Sequence, residues 1–452
     1  MTWTRRDFLQ TFLTGAAVLP LAGKGLTSDV FAPRNPAVKS DLALLAELEA
    51  ACFEFFWNEA DPRTGLIRDR APANGGVSHS KSSIAATGFG LTALCIGHKR
   101  RYRSQAEIQE RVHRTLQSLH QMPHLHGFLY HFVEGNTGER ARRSEISFID
   151  TAILLCGVLT CREYFDDEAI HRDASSLYHR VNWNWALNGG STFALDWTPE
   201  LGFNPLRWDT YCESMMLYLL ALGSPTHAIP AECWHNIRRP WMTYENYRFI
   251  SSPAPLFIHQ FSHTWFDFRG KRDEYANYFE NSVIASRAHR KFCQELSARF
   301  PCYSKDVWGI TASESSEGYV AWGGPPMQGP IDGTIVPAAA AGSLPFVYDE
   351  AITALQTLRG YYGRKTWKKY GFVDAFNPLT GWASRNVLGI DVGISMLMAE
   401  NTRSQFVWDT FMQSEEVGRA MERAGFRPLN SPEIEVAQRR PIHHQRPAAN
   451  LL

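Results

Sequence analysis

"RWDTYCESMMLYLLALGSPTH" (207–227) carries, from Met215 to Leu222, a helix with no polar face. Such a helix needs protein on every side. The same type recurs in "SSIAATGFGLTALCIGH" (82–98), "EISFIDTAILLCGVLTCREYF" (145–165) and "NVLGIDVGISMLMAE" (386–400). Between these runs stand amphipathic segments: "DLALLAELEAACFEFFWNEA" (41–60), "AEIQERVHRTLQSLHQM" (106–122) and "DEYANYFENSVIASRAHRKFCQELSARF" (273–300). Their apolar residues fall at i, i+3, i+4 and i+7. Strand-like alternation is scarce apart from "GFLYHFVE" (127–134). About a dozen helices of two kinds in alternation predict an all-α chain, an (α/α)6 barrel with apolar helices inside an amphipathic ring. A two-layer helical bundle has the same periodicity and stays open at this stage. No Ser/Gly-rich linker divides residues 38–427, so they are read as one domain, followed by a polar tail over 428–452.

The chain of 452 residues has zero net charge, which leaves no electrostatic footprint for nucleic acid or an anionic surface. Aromatic residues make up 13%, a content that serves equally to stack on sugar faces or to fill a large core. Residues 1–25 read as a twin-arginine signal peptide: Arg5-Arg6 precede Phe8-Leu9 and the short apolar run "TFLTGAAVLPLAG". Residues 26–37 read as a linker. Cleavage near residue 25 removes three cations and one anion and leaves a net charge of −2. Export to the periplasm or the medium is expected, and no stretch is apolar for long enough to span a membrane. The eight cysteines form no CxxC or other metal-ligand spacing, and Cys293–Cys302 is the pair left open for a disulfide.

Acidic residues recur where apolar helices begin. Glu213 precedes "SMMLYLLAL", Glu145 and Asp150 open the run at 145–165, Asp391 opens "VGISMLMAE", and Asp332 precedes "VPAAAA". Helix N-termini favour negative charge, so each acid alone could be a cap. Four such starts beside Gly- and Trp-rich loops point instead to a shared cleft. The loops supply further candidates for binding a polyhydroxylated ligand: Trp208 and Tyr211 before Glu213; His259, His263, Trp265, Asp267 and Arg269 in "HQFSHTWFDFRG"; Trp308, Glu314 and Trp322 in 306–334; and Trp382. His259 and His263 have the i, i+4 spacing of zinc ligands, but no HExxH surrounds them and no third ligand is evident, so no metal is assigned. There is no phosphate-binding Gly-rich loop with a Lys and no GxSxG elbow.

"SSIAATGFGLTAL", "FIDTAILLCG", "MMLYLLALGSPTH", "HQFSHTWFDFRG", "VWGITASESSEGYVAWGGPP", "DGTIVPAAAAGSLPF" and "YGFVDAFNPLTGW" resemble, in order, the blocks of the glucoamylase-like domain family. That family includes glycoside hydrolase family 144, the bacterial β-1,2-glucanases. The resemblance covers about residues 40–427. It implies an (α/α)6 barrel, a periplasmic or secreted enzyme, an oligo- or polysaccharide substrate of β-1,2-linked glucose, inversion at the anomeric carbon, and no cofactor. Inversion requires a carboxylic acid and a carboxylate roughly 6.5–9.5 Å apart. By resemblance Glu213 is the acid, in surroundings suited to keep it protonated, and Asp391 the base, with Asp332 in reserve. Glu145 matches an acidic cleft position, and Asp150 is either a ligand-facing residue or a cap. Glu314 stands where the family has Asp. A transglycosylase and a non-catalytic glycan-binding protein are the competing readings. A monomer is expected.

Overall fold

The computed structural model describes residues 40–253 and 255–429. The segments read from sequence as a signal peptide (1–25) and a linker (26–37), and the part of the expected tail from residue 430 on, lie outside the described residues. Pro428, read from sequence as the start of the tail, instead pairs with Lys271 in a two-residue ladder.

Among the described residues twelve helices organise the fold, with additional one-turn helices in the connections. They are α1 (Asp41–Asn58), α2 (Ile84–Arg100), α3 (Gln105–Gln121), α4 (Phe148–Tyr164), α5 (Glu168–His179) and α6 (Met215–Gly223). After these come α7 (Tyr278–Leu296), α8 (Pro337–Ala341), α9 (Tyr348–Thr357), α10 (Gly389–Ser404), α11 (Phe406–Phe411) and α12 (Glu415–Arg423). The all-round apolar segments are the buried ones, as their composition requires: every residue of α6 is buried, as are nearly all of α4. α3 and α5 bury one face only. The inner staves are therefore α2, α4, α6, α8 and α10. A sixth is made of 3-10 turns over Leu256–His259 and Ser262–Thr264, held between α6 and α8. There Ser262 Oγ accepts the Met216 N–H at 3.0 Å, and the Gln260 amide donates to Ala339 O at 2.9 Å. The result is an (α/α)6 toroid, and the nine sheets among the described residues have only two or three short strands each.

Two glycines set the approach of α2 to α4. A Cβ on Gly88 would lie 2.4 Å from Ile153 O, and one on Gly157 2.1 Å from Gly88 O, so backbone meets backbone. Further along, Cys161 Sγ reaches Leu91 O at 3.5 Å and Cys95 Sγ at 3.6 Å. Residue numbers rise together on both helices, so α2 and α4 are parallel. α10 runs parallel to α2 by the same test: Gly389 lies against Ala86, Gly393 against Phe89, and Arg100 pairs with Glu400. The amino ends of these inner helices thus open on one end of the barrel.

Some boundaries differ from the sequence reading. The segment 273–300 becomes helical only at Tyr278, because Asp273 Oδ1 takes the N–H groups of Tyr275 and Ala276 in a turn and Asn277 caps the helix. The segment "GISMLMAENTRSQFVWDTFM" (393–412), one helix by its pattern, breaks at Gln405, which adopts φ 60°, and Asn401 Oδ1 accepts the Trp408 N–H at 3.2 Å beyond the break. "GFLYHFVE" yields two two-residue strands rather than one. All eight cysteines are thiols, Cys293 and Cys302 included.

Candidate active site

α2 and α4 begin with the same local design. A two-residue strand ends in a Ser N-cap, and four residues later a Thr bonds back to the cap carbonyl. Ser83 Oγ accepts the Ala86 N–H at 3.3 Å, and Thr87 donates to Ser83 O at 2.8 Å. Ser147 Oγ accepts the Asp150 N–H at 3.2 Å, and Thr151 donates to Ser147 O at 2.7 Å. The third residue after the cap is Ala86 in α2 and Asp150 in α4. In α10 it is Asp391, after Leu388. Carboxylates in the first turn are favoured by the helix dipole. Because α10, α2 and α4 are parallel, Asp391 and Asp150 share one end of the barrel with Ala86 between them. Both are buried.

Glu213 lies one residue before the cap of α6 and is also buried. The cap residue Ser214 makes no side-chain cap bond. Ser262 on the sixth stave substitutes for it, donating to Glu213 O at 2.8 Å while accepting from Met216. This fixes the Glu213 backbone from a neighbouring element and places its carboxyl against the Cys212 thiol. Glu145 Oε1 lies 2.9 Å from His131 Nδ1, and His131 Nε2 lies 3.6 Å from Asp150 Oδ2.

Asp391 has a carboxyl partner absent from the sequence reading. Asp374, 3% exposed, is hydrogen-bonded to it, and burial followed by the Asp391 charge pushes the Asp374 carboxyl well above the usual range. Two carboxyls bond to each other only through a shared proton. The second Asp374 oxygen accepts the Glu314 N–H at 2.6 Å. Glu314 in turn takes Arg70 Nη1 at 2.8 Å, Ser384 Oγ at 2.6 Å and Asn386 Nδ2 at 3.1 Å. Arg70 also holds Asp69 at 2.8 Å. Burial lowers the affinity of Arg70 for its proton, but Asp69 and Glu314 reverse this and hold the guanidinium charged. Glu314 is thus a strut between Arg70 and the Asp374–Asp391 pair, with both oxygens taken by protein.

The predicted aromatic residues divide. Trp208, Tyr211, Trp265, Trp308 and Trp322 are all buried, and each spends its polar atom on protein. Trp208 donates to Leu195 O, Trp265 to Thr92, Trp308 to Glu350 O, and Trp322 to Ser313. Tyr211 bonds His259 Nδ1 at 3.0 Å. These rings fill the barrel wall, and of the predicted tryptophans Trp382 alone is partly open to solvent. His259 also meets Ser251 at 3.1 Å, and His263 meets Ser282 at 3.1 Å. Burial drops both imidazoles to about 3, so they are neutral. Asp267 and Arg269 bond each other at 2.9 Å, and Arg269 reaches Gln405 beyond the carboxyl end of α10. The structure does not bring this pair to the acids. Asp332 is exposed, and its Oδ1 caps the Thr334 N–H at 2.8 Å. Among the described residues no group of three or more His, Cys, Asp or Glu side chains could hold a metal ion, and no helix is long and apolar enough to cross a membrane.

A mostly helical chain closed into an inner and an outer ring is the architecture of the glucoamylase-like (α/α)6 toroids. Residues 205–415 match the model of a family described as "Putative glucoamylase". The chain is similar to an endo-β-1,2-glucanase from Chitinophaga pinensis, solved with sophorotriose and glucose: 28% identity, 86% of this chain, 99% of that one, TM-score 0.79. It is also similar to a β-1,2-glucanase structure from Parabacteroides distasonis, with 25% identity over 86% of this chain and 60% of that one, TM-score 0.79. A curated relative from the same organism is an exo β-1,2-glucooligosaccharide sophorohydrolase acting at the non-reducing end. It is 26% identical over 85% of this chain, which spans 58% of the relative's length.

Proposed function

We propose that this protein is a glycoside hydrolase of β-1,2-linked glucans or their oligosaccharides, working as a monomer by inversion. The observation that carries the reading is the set of buried carboxyls, Glu213, Asp391, Asp150 and Glu145, at the amino ends of inner helices, in a fold shared over 86% of the chain with an endo-β-1,2-glucanase. In this reading Glu213 gives its proton to the glycosidic oxygen as the bond to the anomeric carbon breaks. Asp391, as carboxylate, takes a proton from the water that attacks the opposite face of that carbon. One proton enters the leaving sugar and one leaves the water, so the two carboxyls exchange protonation states and reset through solvent. The Asp374 proton, shared with Asp391, favours the ionised form of the base. The twin-arginine segment at Arg5-Arg6 belongs to the same reading, since an exported enzyme meets extracellular glucan.

The test is incubation of the mature protein with linear β-1,2-glucan and sophorose-series oligosaccharides, with products followed by chromatography. Shortened products are expected, and Glu213→Gln should lower kcat by about 100-fold or more with its melting temperature unchanged. Longer products would replace hydrolysis by transglycosylation. Binding with no cleavage of any β-glucan would overturn the enzymatic reading.

A further inference from the structure

His131 sits between the short strands Phe128–Leu129 and Phe132–Val133 and is 7% exposed. Its backbone is tied to the segment before α4 and to the start of α2: its N–H donates to Glu145 O at 2.9 Å, and its carbonyl accepts from Ile84 N, the first residue of α2, at 3.2 Å. Its ring stacks on Phe132 with centroids 3.8 Å apart. The ring is therefore held in one plane, with Glu145 Oε1 at Nδ1 and Asp150 Oδ2 at Nε2.

A neutral imidazole has one N–H and one lone pair. Placed between two carboxylates, it would serve one and turn its lone pair on the other. Only the imidazolium presents a proton to each side. The charges that act most strongly on the ring are Asp150 from α4, Glu145 from the segment before α4, and Asp69 from the segment leading to Arg70, all acids. Two cations stand behind them: Arg70 pairs with Asp69 at 2.8 Å, and Arg140 feels the charge of Glu145. Asp150 is further fixed by Ser147, whose hydroxyl donates to the same Oδ2 at 2.6 Å.

We propose that His131 is a positioning residue for the hydrolysis, an imidazolium that spans Glu145 and Asp150 and keeps both as carboxylates at the mouth of the barrel. Burial by itself would lower the ring's proton affinity, but Asp150 and then Glu145 overcome this and push it up to about 9. The role rests on the reading of the preceding subsection that the mouth is a glycosidase site. Without the cation, Glu145 and Asp150 lose the positive charge that both contact, and with it the attraction that favours their ionised forms.

Two measurements test this. In the full chain labelled with 15N-histidine, the His131 signals are identified by their absence in His131→Gln. Both ring nitrogens are expected to be protonated at pH 7 and to titrate only near pH 9. A neutral ring at pH 7 overturns the proposal. In pH–rate profiles on linear β-1,2-glucan, His131→Gln, which keeps a donor but loses the charge, should move the acidic limb up by about one unit. The loss in kcat should be about tenfold below that limb and smaller above it, with KM nearly unchanged. A uniform loss across pH with a lowered melting temperature would make His131 a packing residue and overturn its positioning role. If the parent enzyme cleaves no β-glucan, the proposed function fails, while the nitrogen shifts still decide whether the ring bridges as a cation.

Discussion

At the scale of single residues, the acids at the barrel mouth are distinguished by their partners rather than by their positions. Asp374 and Asp391 share a proton, and burial together with the Asp391 charge holds that proton on Asp374. A carboxyl whose proton affinity is raised by folding makes the fold less stable as pH rises above its ordinary value. Asp374→Asn removes this linkage, because the amide can donate to Asp391 while its oxygen still accepts the Glu314 N–H. The variant is expected to melt above the parent at pH 8, with the gap closing towards pH 4; scanning calorimetry at the two pH values checks it, and a lower melting temperature at pH 8 would mean Asp374 is ionised. The acids at helix starts were legible in the sequence because an apolar helix makes a leading carboxylate conspicuous. His131 and Asp374 were not. Neither begins a helix, and each acquires its role only when the closed barrel brings it beside an acid from another segment. The tryptophans misled for a related reason: composition does not distinguish a ring that lines a cleft from one that fills a wall, and Trp208, Trp265 and Trp308 fill the wall.

At the scale of elements, alternation of all-round apolar and amphipathic helices was readable, because burial on every side leaves no room for a polar stripe. What periodicity could not express was closure into a ring, which depends on which helices touch. Here the small residues of "SSIAATGFGLTAL" and "FIDTAILLCG" decide. Gly88 and Gly157 let α2 and α4 meet through their backbones, and this contact keeps the amino ends of the two helices level at the mouth. Gly157→Ala would place a Cβ 2.1 Å from Gly88 O and 2.9 Å from its Cα. No side chain can move aside there, so the variant should lose about 3 kcal/mol or more of stability in urea unfolding. Gly418 in α12 is the control: it is exposed, nothing lies within 4 Å of its Cβ position, and Ala there should add about 0.5–1 kcal/mol. Equal effects at the two sites would remove the close crossing of α2 and α4 as the reason for these glycines.

At the scale of the whole molecule, the two ends of the barrel carry buried charge of different design, and both tie stability to pH in the same direction. At the end opposite the mouth, Glu49 on α1 and Glu400 on α10 are fully buried beside Arg403 and Arg100; Glu49 contacts Arg403, and Arg100 Nη2 meets Glu400 at 2.8 Å. Burial, and then the Glu400 charge, push Glu49 up to about 8. Its proton is bound by the folded chain and released by the unfolded one, so stability falls as pH rises from about 4.5 through 8. At the mouth, His131 is raised from 6.5 to about 9, so its contribution is complete below 6.5 and is lost as pH rises through 9. Glu416 acts in the opposite sense. Burial would raise it, but Arg162 at 2.5 Å holds it down at about 2, and its contribution is lost only as pH falls from 4.5 through 2. The melting temperature should therefore be highest near pH 5–6 and should decline steadily to pH 9. Glu49→Gln and His131→Gln should each flatten part of that decline, and because their sites lie at opposite ends of the barrel the two effects should add. Calorimetry of the parent, both single variants and the double variant at pH 5, 7 and 9 measures this. A parent melting temperature as high at pH 9 as at pH 6 would mean that neither buried proton is held as the geometry requires.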